Sequence, residues 1–172
     1  MALQLFKIAD TTVESPVTEV TFSSIPQGYT DLYLVFSSRD SVNSGATPGQ
    51  GAIRFNSDSG NNYSRRYLRG NGSTADSSSS TSVSAIITRA FQPNGATANV
   101  FGSFSMYVPN YTGSNYKSAS IDSVTENNAT EAHAELTTGL WNSTAAITSI
   151  TILSASSASF LANSTFTLYG VL

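Results

Sequence analysis

The 172-residue chain contains no cysteine, which excludes disulfides, thiolate nucleophiles and sulfur-ligated metal sites and suits assembly in a reducing compartment. Charge is scarce: Asp, Glu, Lys and Arg make up 11% of positions, against about 25% in an ordinary soluble domain. The net charge of −3 and pI near 4.9 provide no basic surface for phosphate contacts and argue against a nucleic-acid binder. No run of 18 apolar residues occurs, and the apolar stretch in "MALQLFKIAD" is too short for a signal peptide. Neither a membrane span nor secretion by that route is therefore expected, and synthesis in the cytoplasm is. No G-x-S-x-G, G-x-G-x-x-G or Walker sequence is present, which removes the serine-hydrolase, dinucleotide and phosphate-loop signatures. Repeats, heptads and collagen-like triplets are also missing, so no fibrous shaft is encoded.

What the chain does have is hydroxyls and β-formers. Ser and Thr supply 50 of the 172 positions, while 40% of residues are hydrophobic and 10% aromatic, enough to drive folding. At this length one domain, residues 1–172, is expected, burying about 70% of the surface that its unfolded chain exposes.

Period-2 alternation predicts strands over 3–8, 17–23, 31–38, 52–56, 82–91, 99–108, 117–126, 132–141, 147–155 and 164–172, and no helix. Clusters such as "SIPQGYT", "SVNSGATPGQG", "NSDSGNN" and "QPNGATA" read as turns, because Gly, Pro, Asn and Asp supply backbone geometries that other residues resist. The low-complexity stretch around "SSSS", within Gly70–Ser82, reads as an exposed loop. Asn142 or Ser143 would cap at most a single helical turn. An all-β, jelly-roll-like antiparallel sandwich follows, since about eight strands then share one core between two sheets. The closing run "STFTLYGVL" places Phe166, Leu168 and Leu172 on one side, which predicts a buried, well-paired terminal strand.

Candidate chemistry is thin. Alternation puts Glu131, His133 and Glu135 on one strand face, but three successive side chains on one face span roughly 13 Å, too far to converge on a metal. A solvated polar face is the expectation there, with no catalytic residue, metal or cofactor assigned. Asn56, Asp58 and Asn61 surround Gly60 with oxygen donors at short spacing. The same residue types build a tight turn, and the distal bidentate Glu of a calcium loop is missing, so a turn is preferred over a cation site. Five of the eight basic residues lie between Arg54 and Arg89. Arg54, Arg65, Arg66, Arg69 and Arg89, with Tyr63 and Tyr67, read either as strand arginines in ion pairs and aromatic stacks or as an electropositive partner-contact patch.

The segments "FSSIPQGYTDLYLVFSSR" (22–39), "IRFNSDSGNNYS" (53–64), "ANVFGSFSMYVPNY" (98–111), "TENNAT" (125–130), "GLWNSTAAITSITI" (139–152) and "STFTLYGVL" (164–172) resemble, in that order, small virion proteins of tailed bacteriophages, particularly those of aquatic hosts. The resemblance implies a non-enzymatic β-sandwich component of the virion and brings no catalytic residues with it. Two roles follow as expectations. A capsid decoration (cement) protein would sit on the outer capsid surface as a homo-oligomer, with a trimer preferred, and bind the major capsid protein. A tail-fibre or receptor-binding tip would grip host-surface glycan. The first strand starts by Leu3, with no shaft before it, which favours decoration. Neither role calls for nucleic acid or a membrane.

Overall fold

The computed structural model describes residues 4–42, 49–128, 132–154 and 158–172. Among them are twelve strands and no helix: β1 (Leu5–Thr12), β2 (Glu19–Phe22), β3 (Asp31–Asp40), β4 (Gly49–Phe55), β5 (Tyr63–Gly70), β6 (Ala75–Val83), β7 (Ile86–Pro93), β8 (Gly102–Val108), β9 (Lys117–Val124), β10 (Ala134–Trp141), β11 (Ile150–Ser154) and β12 (Thr165–Val171). Leu3, Glu131 and Ala155, each part of an expected strand or face, lie outside the described residues.

Eight strands form the jelly roll. One sheet runs β1-β12-β3-β8 and the other β2-β11-β4-β7, so each sheet takes alternate members of a folded-over hairpin. The pairings are antiparallel except at one seam. There Arg39 and Asp40 of β3 run parallel to Gln92 and Pro93 of β7 and join the two sheets. The remaining four strands are two inserted hairpins. They prolong the first sheet as β8-β9-β10-β5-β6, giving it eight strands, and β7 of the smaller sheet crosses above this extension.

The core follows from the alternation. Phe36 of β3 stacks on Phe104 of β8 at 4.1 Å between ring centres and meets Phe166 of β12 at 5.1 Å, while Phe160 meets Phe91 at 4.9 Å and Phe166 at 5.0 Å. Offset and edge contacts at these distances add about 0.5–1.5 kcal/mol per pair beyond the area buried. A second aromatic group, Phe55, Tyr63 and Trp141, fills the region where the first inserted hairpin leaves β4.

β12 is an interior strand, paired on one side with β1 and on the other with β3. Phe166 and Leu168 are fully buried, as expected, but Leu172 is 52% exposed. The strand ends at Val171, and Leu172 lies past the last paired residue, where alternation no longer decides the direction of a side chain. Gly170 is required at its position: a Cβ there would come within 2.3 Å of the Tyr29 ring.

The "SSSS" stretch is not a loop. Ser77–Ser80 pair with β5 through the backbone, and the turn before them is closed by Asn71, whose side-chain oxygen accepts from the N–H groups of Ser73 and Thr74. Pairing asks nothing of the side chains, so a serine run serves as an edge strand exposed on both faces. No helical turn forms over 142–150.

Candidate functional site

The arginine cluster is divided by strand alternation. On β5, Arg65, Tyr67 and Arg69 share the face toward β7, and Arg66 points away. Both Arg65 and Arg69 pack on the Tyr67 ring, each 5.2 Å from its centre. Arg69 makes a two-pronged contact with Asp76 at 2.8 and 2.9 Å, and Tyr67 donates its hydroxyl to the same carboxylate. Arg65 donates to the carbonyl of Ile87 at 2.5 Å, and burial lowers its pKa. Arg54, on β4 in the other sheet, donates to the carbonyl of Ser84. Tyr63 does not belong to any surface patch, for it is 1% exposed and its hydroxyl bonds Phe55 and Asp58, with burial pushing its pKa to about 12. Arg89 is half-buried on β7. A continuous patch read from sequence proximity thus resolves into structural arginines and one outward cation, Arg66.

The β10 face is also corrected. His133 and Glu135 are 7% and 3% exposed, not solvated, because β10 is interior to the eight-stranded sheet and β7 covers this face. One carboxylate oxygen of Glu135 accepts from Thr88 Oγ1 at 3.2 Å, the Arg89 N–H at 3.1 Å and Thr137 Oγ1 at 2.9 Å. His133 donates its backbone N–H to Thr125 Oγ1. Among the described residues no group of three or more His, Asp or Glu side chains is arranged to hold a metal.

The Asn56–Asp58 segment is a turn. Asn56 Oδ1 accepts from the N–H groups of Thr148 and Ser149, and its amide nitrogen donates to Ala146, so this residue ties down the 146–149 loop. Asp58 accepts from the Gly60 N–H, the Asn62 amide and Trp141 Nε1 at 2.7 Å, and the Trp141 bond foremost lowers its pKa. Donors occupy the oxygens that a cation would need.

Two polar residues missed in the sequence sit at the seam. Arg39 is 7% exposed and spends its guanidinium on the carbonyls of Asn94, Ala96, Thr97 and Val100, holding that loop. Asp40 is fully buried, and among the described residues its side chain accepts from the Val42 N–H. Its strand partner Pro93 has no N–H to offer, and its second oxygen lies without a partner against Gly49. Burial raises the Asp40 pKa to about 6, against the opposing pull of Val42 and Arg39. The sequence signal is the charged pair that closes "DLYLVFSSRD".

The outward face of the eight-stranded sheet is open, and the register gives its residues in rows. One row reads Lys7, Tyr169, Tyr33, Tyr107, Ser120, Thr138, Arg66, Ser79 across all eight strands. Beside it, Thr167, Val35 and Ser105 lead to Asp122, Leu136, Leu68 and Ser77. Over β12, β3 and β8 this face forms a groove of about 470 Å³ lined by Tyr33, Val35, Ser37, Ser103, Ser105 and Thr167, with no charged side chain. Comparison with known protein families, curated proteins and solved structures finds no match to this chain.

Proposed function

We propose that this chain is a non-enzymatic structural protein of a phage virion, a capsid decoration protein that sits as a homo-oligomer on the outside of the head and contacts the major capsid protein. The observation that carries the reading is the eight-stranded sheet with its open, sparsely charged outer face, built on a jelly roll; the phage assignment itself rests on the sequence resemblance given above. A decoration protein needs a wide, rigid surface more than a cleft, and two inserted hairpins roughly double the width of one jelly-roll sheet. Bound to an assembled shell, such a protein stabilises it by mass action, because it binds the closed state and not the dissociated one. Purified protein mixed with shells stripped of it is expected to bind in saturable, fixed copy number, counted by gel densitometry, and to raise the temperature at which the shells open. Labelling confined to the tail defeats this reading.

A second reading, a fibre or receptor-binding tip, is favoured by the uncharged groove at Tyr33 and Val35. An aromatic ring and several hydroxyls suit a neutral sugar, which needs an apolar face to stack on and hydrogen-bond partners around it. Saturable binding to host cells, abolished by Tyr33→Ala and absent with stripped shells, would establish that role instead.

A further inference from the structure

The inserted hairpins depart from the usual polarity of a sandwich sheet. Their inward face carries the buried polar residues Ser123, Glu135 and Thr137 beside Ala119, Ile121 and Trp141, whereas their outward face carries Leu68 at 58%, Leu136 at 52%, Val124 at 38% and Leu140 at 36% exposure. Leu68 and Leu136 are direct cross-strand neighbours, and Val124 stands opposite Ala134 on the same face. Four large apolar side chains on three adjacent strands form a patch, unlike singly scattered ones.

Two charges border this patch. Arg66 on β5 and Asp122 on β9 point outward on either side of β10, two strands and one row apart, or about 12 Å at ordinary strand spacing. Neither is spent within the chain: the ion pairs among the described residues are Lys7–Asp10 and Arg69–Asp76. A two-fold axis lying in the plane of the face, midway between the two positions, brings each Arg66 over the other copy's Asp122 and lays leucine on leucine between them.

We propose that this outer face of β9, β10, β5 and β6 is an isologous interface on which a second copy of the chain packs. At ordinary strand spacing the four strands offer roughly 500 Å² per copy, or about 1,000 Å² in a pair, near the lower limit for a specific interface. A micromolar dimer is therefore expected, with the charges setting register and the leucines supplying the buried area. The symmetry is two-fold, in place of the three-fold axis expected from sequence, because a self-complementary face pairs with itself and cannot close a three-membered ring. The proposal does not depend on the virion reading, and it is tested on purified protein alone.

Sedimentation velocity across about 1–200 µM, a range that brackets micromolar affinity, is expected to show reversible monomer–dimer exchange. The L68T/L136T double variant keeps its far-UV circular dichroism and melting curve yet stays monomeric. R66D and D122R each weaken self-association at least about tenfold through like-charge contact. The combined R66D/D122R variant recovers the dimer, and so does a mixture of the two single variants, since both charge contacts are then opposite in sign. A strictly monomeric wild type, a trimer, a dimer indifferent to L68T/L136T, or failure of both the combined variant and the mixture to recover pairing overturns the proposal.

Discussion

The two halves of the eight-stranded sheet obey the same alternation and differ in what they bury and what they expose. In the half made of β12, β3 and β8, inward positions hold Phe36, Phe104, Phe166, Leu34, Leu168 and Met106, and outward ones hold tyrosine, serine and threonine. In the half made of β9, β10 and β5, inward positions hold Glu135, Thr137, Ser123 and the Arg65–Tyr67–Arg69 stack beside the core side chains Ala119, Ile121, Tyr63 and Trp141, and the leucines face out. The difference lies in what covers each half. The first faces the aromatic side chains of the smaller sheet. The second meets β7, whose hydroxyl and backbone donors bind Glu135 and whose Ile87 carbonyl takes Arg65. Burial is thus not the same as apolarity: a covered strand face accepts polar groups when the covering strand satisfies them.

The contrast breaks most visibly at Phe166, which touches Phe36 and Phe160. Phe166→Ala should cost about 3–5 kcal/mol, read as a lower urea midpoint with unchanged slope. An effect below 1 kcal/mol would mean that the jelly-roll half is not the stability core.

Next in size comes the seam. With a folded pKa of about 6, above the ordinary carboxylate value, Asp40 holds its proton better in the folded state than in the unfolded one. The contribution of Asp40 to stability should therefore be greatest below about pH 4, fall as pH rises toward 6 and level off above it. Asp40→Asn removes the buried charge and should gain on the order of 2–3 kcal/mol at pH 8, with the gain vanishing at pH 4. Parallel pH profiles for the two proteins would refute this. Glu135→Gln should change stability by no more than about 1 kcal/mol in the same urea titration, because an amide oxygen can take over the three donors held by one carboxylate oxygen while the second oxygen has no hydrogen-bond partner to lose.

Gly170→Ala should cost about 1–3 kcal/mol, since the new methyl group meets the Tyr29 ring and neither backbone nor ring has room to yield freely. The smallest effect belongs to the outward leucines. In dilute monomer, Leu136→Thr should leave stability within about 0.5 kcal/mol, and a larger loss would show that this face already packs on something within the chain.

Most strands are legible in the sequence, because turn residues delimit them and period 2 is hard to mistake. β5 and β6 are not. "YSRRYLRG" hides its alternation among arginines, and the serine run has no side-chain pattern to read. Their pairing is a backbone event, fixed by the Asn71 turn and by the neighbouring β10 edge. The candidate patch failed for a related reason: arginines adjacent in sequence alternate across a strand, so Arg65 and Arg66 serve opposite faces.

Composition, turn spacing and alternation by themselves determined that the chain is all-β, that Phe166 and Leu168 are buried, and that Asn56 and Asp58 make a turn. Only the tertiary structure decided which face of each strand is covered, and by what. Alternation assigns residues to two faces without naming the inner one, and the choice depends on partner strands distant in the chain. Glu135 is buried because β7, some 46 positions earlier, supplies its donors, and Leu136, one residue along, is exposed because none of the described strands lies above it.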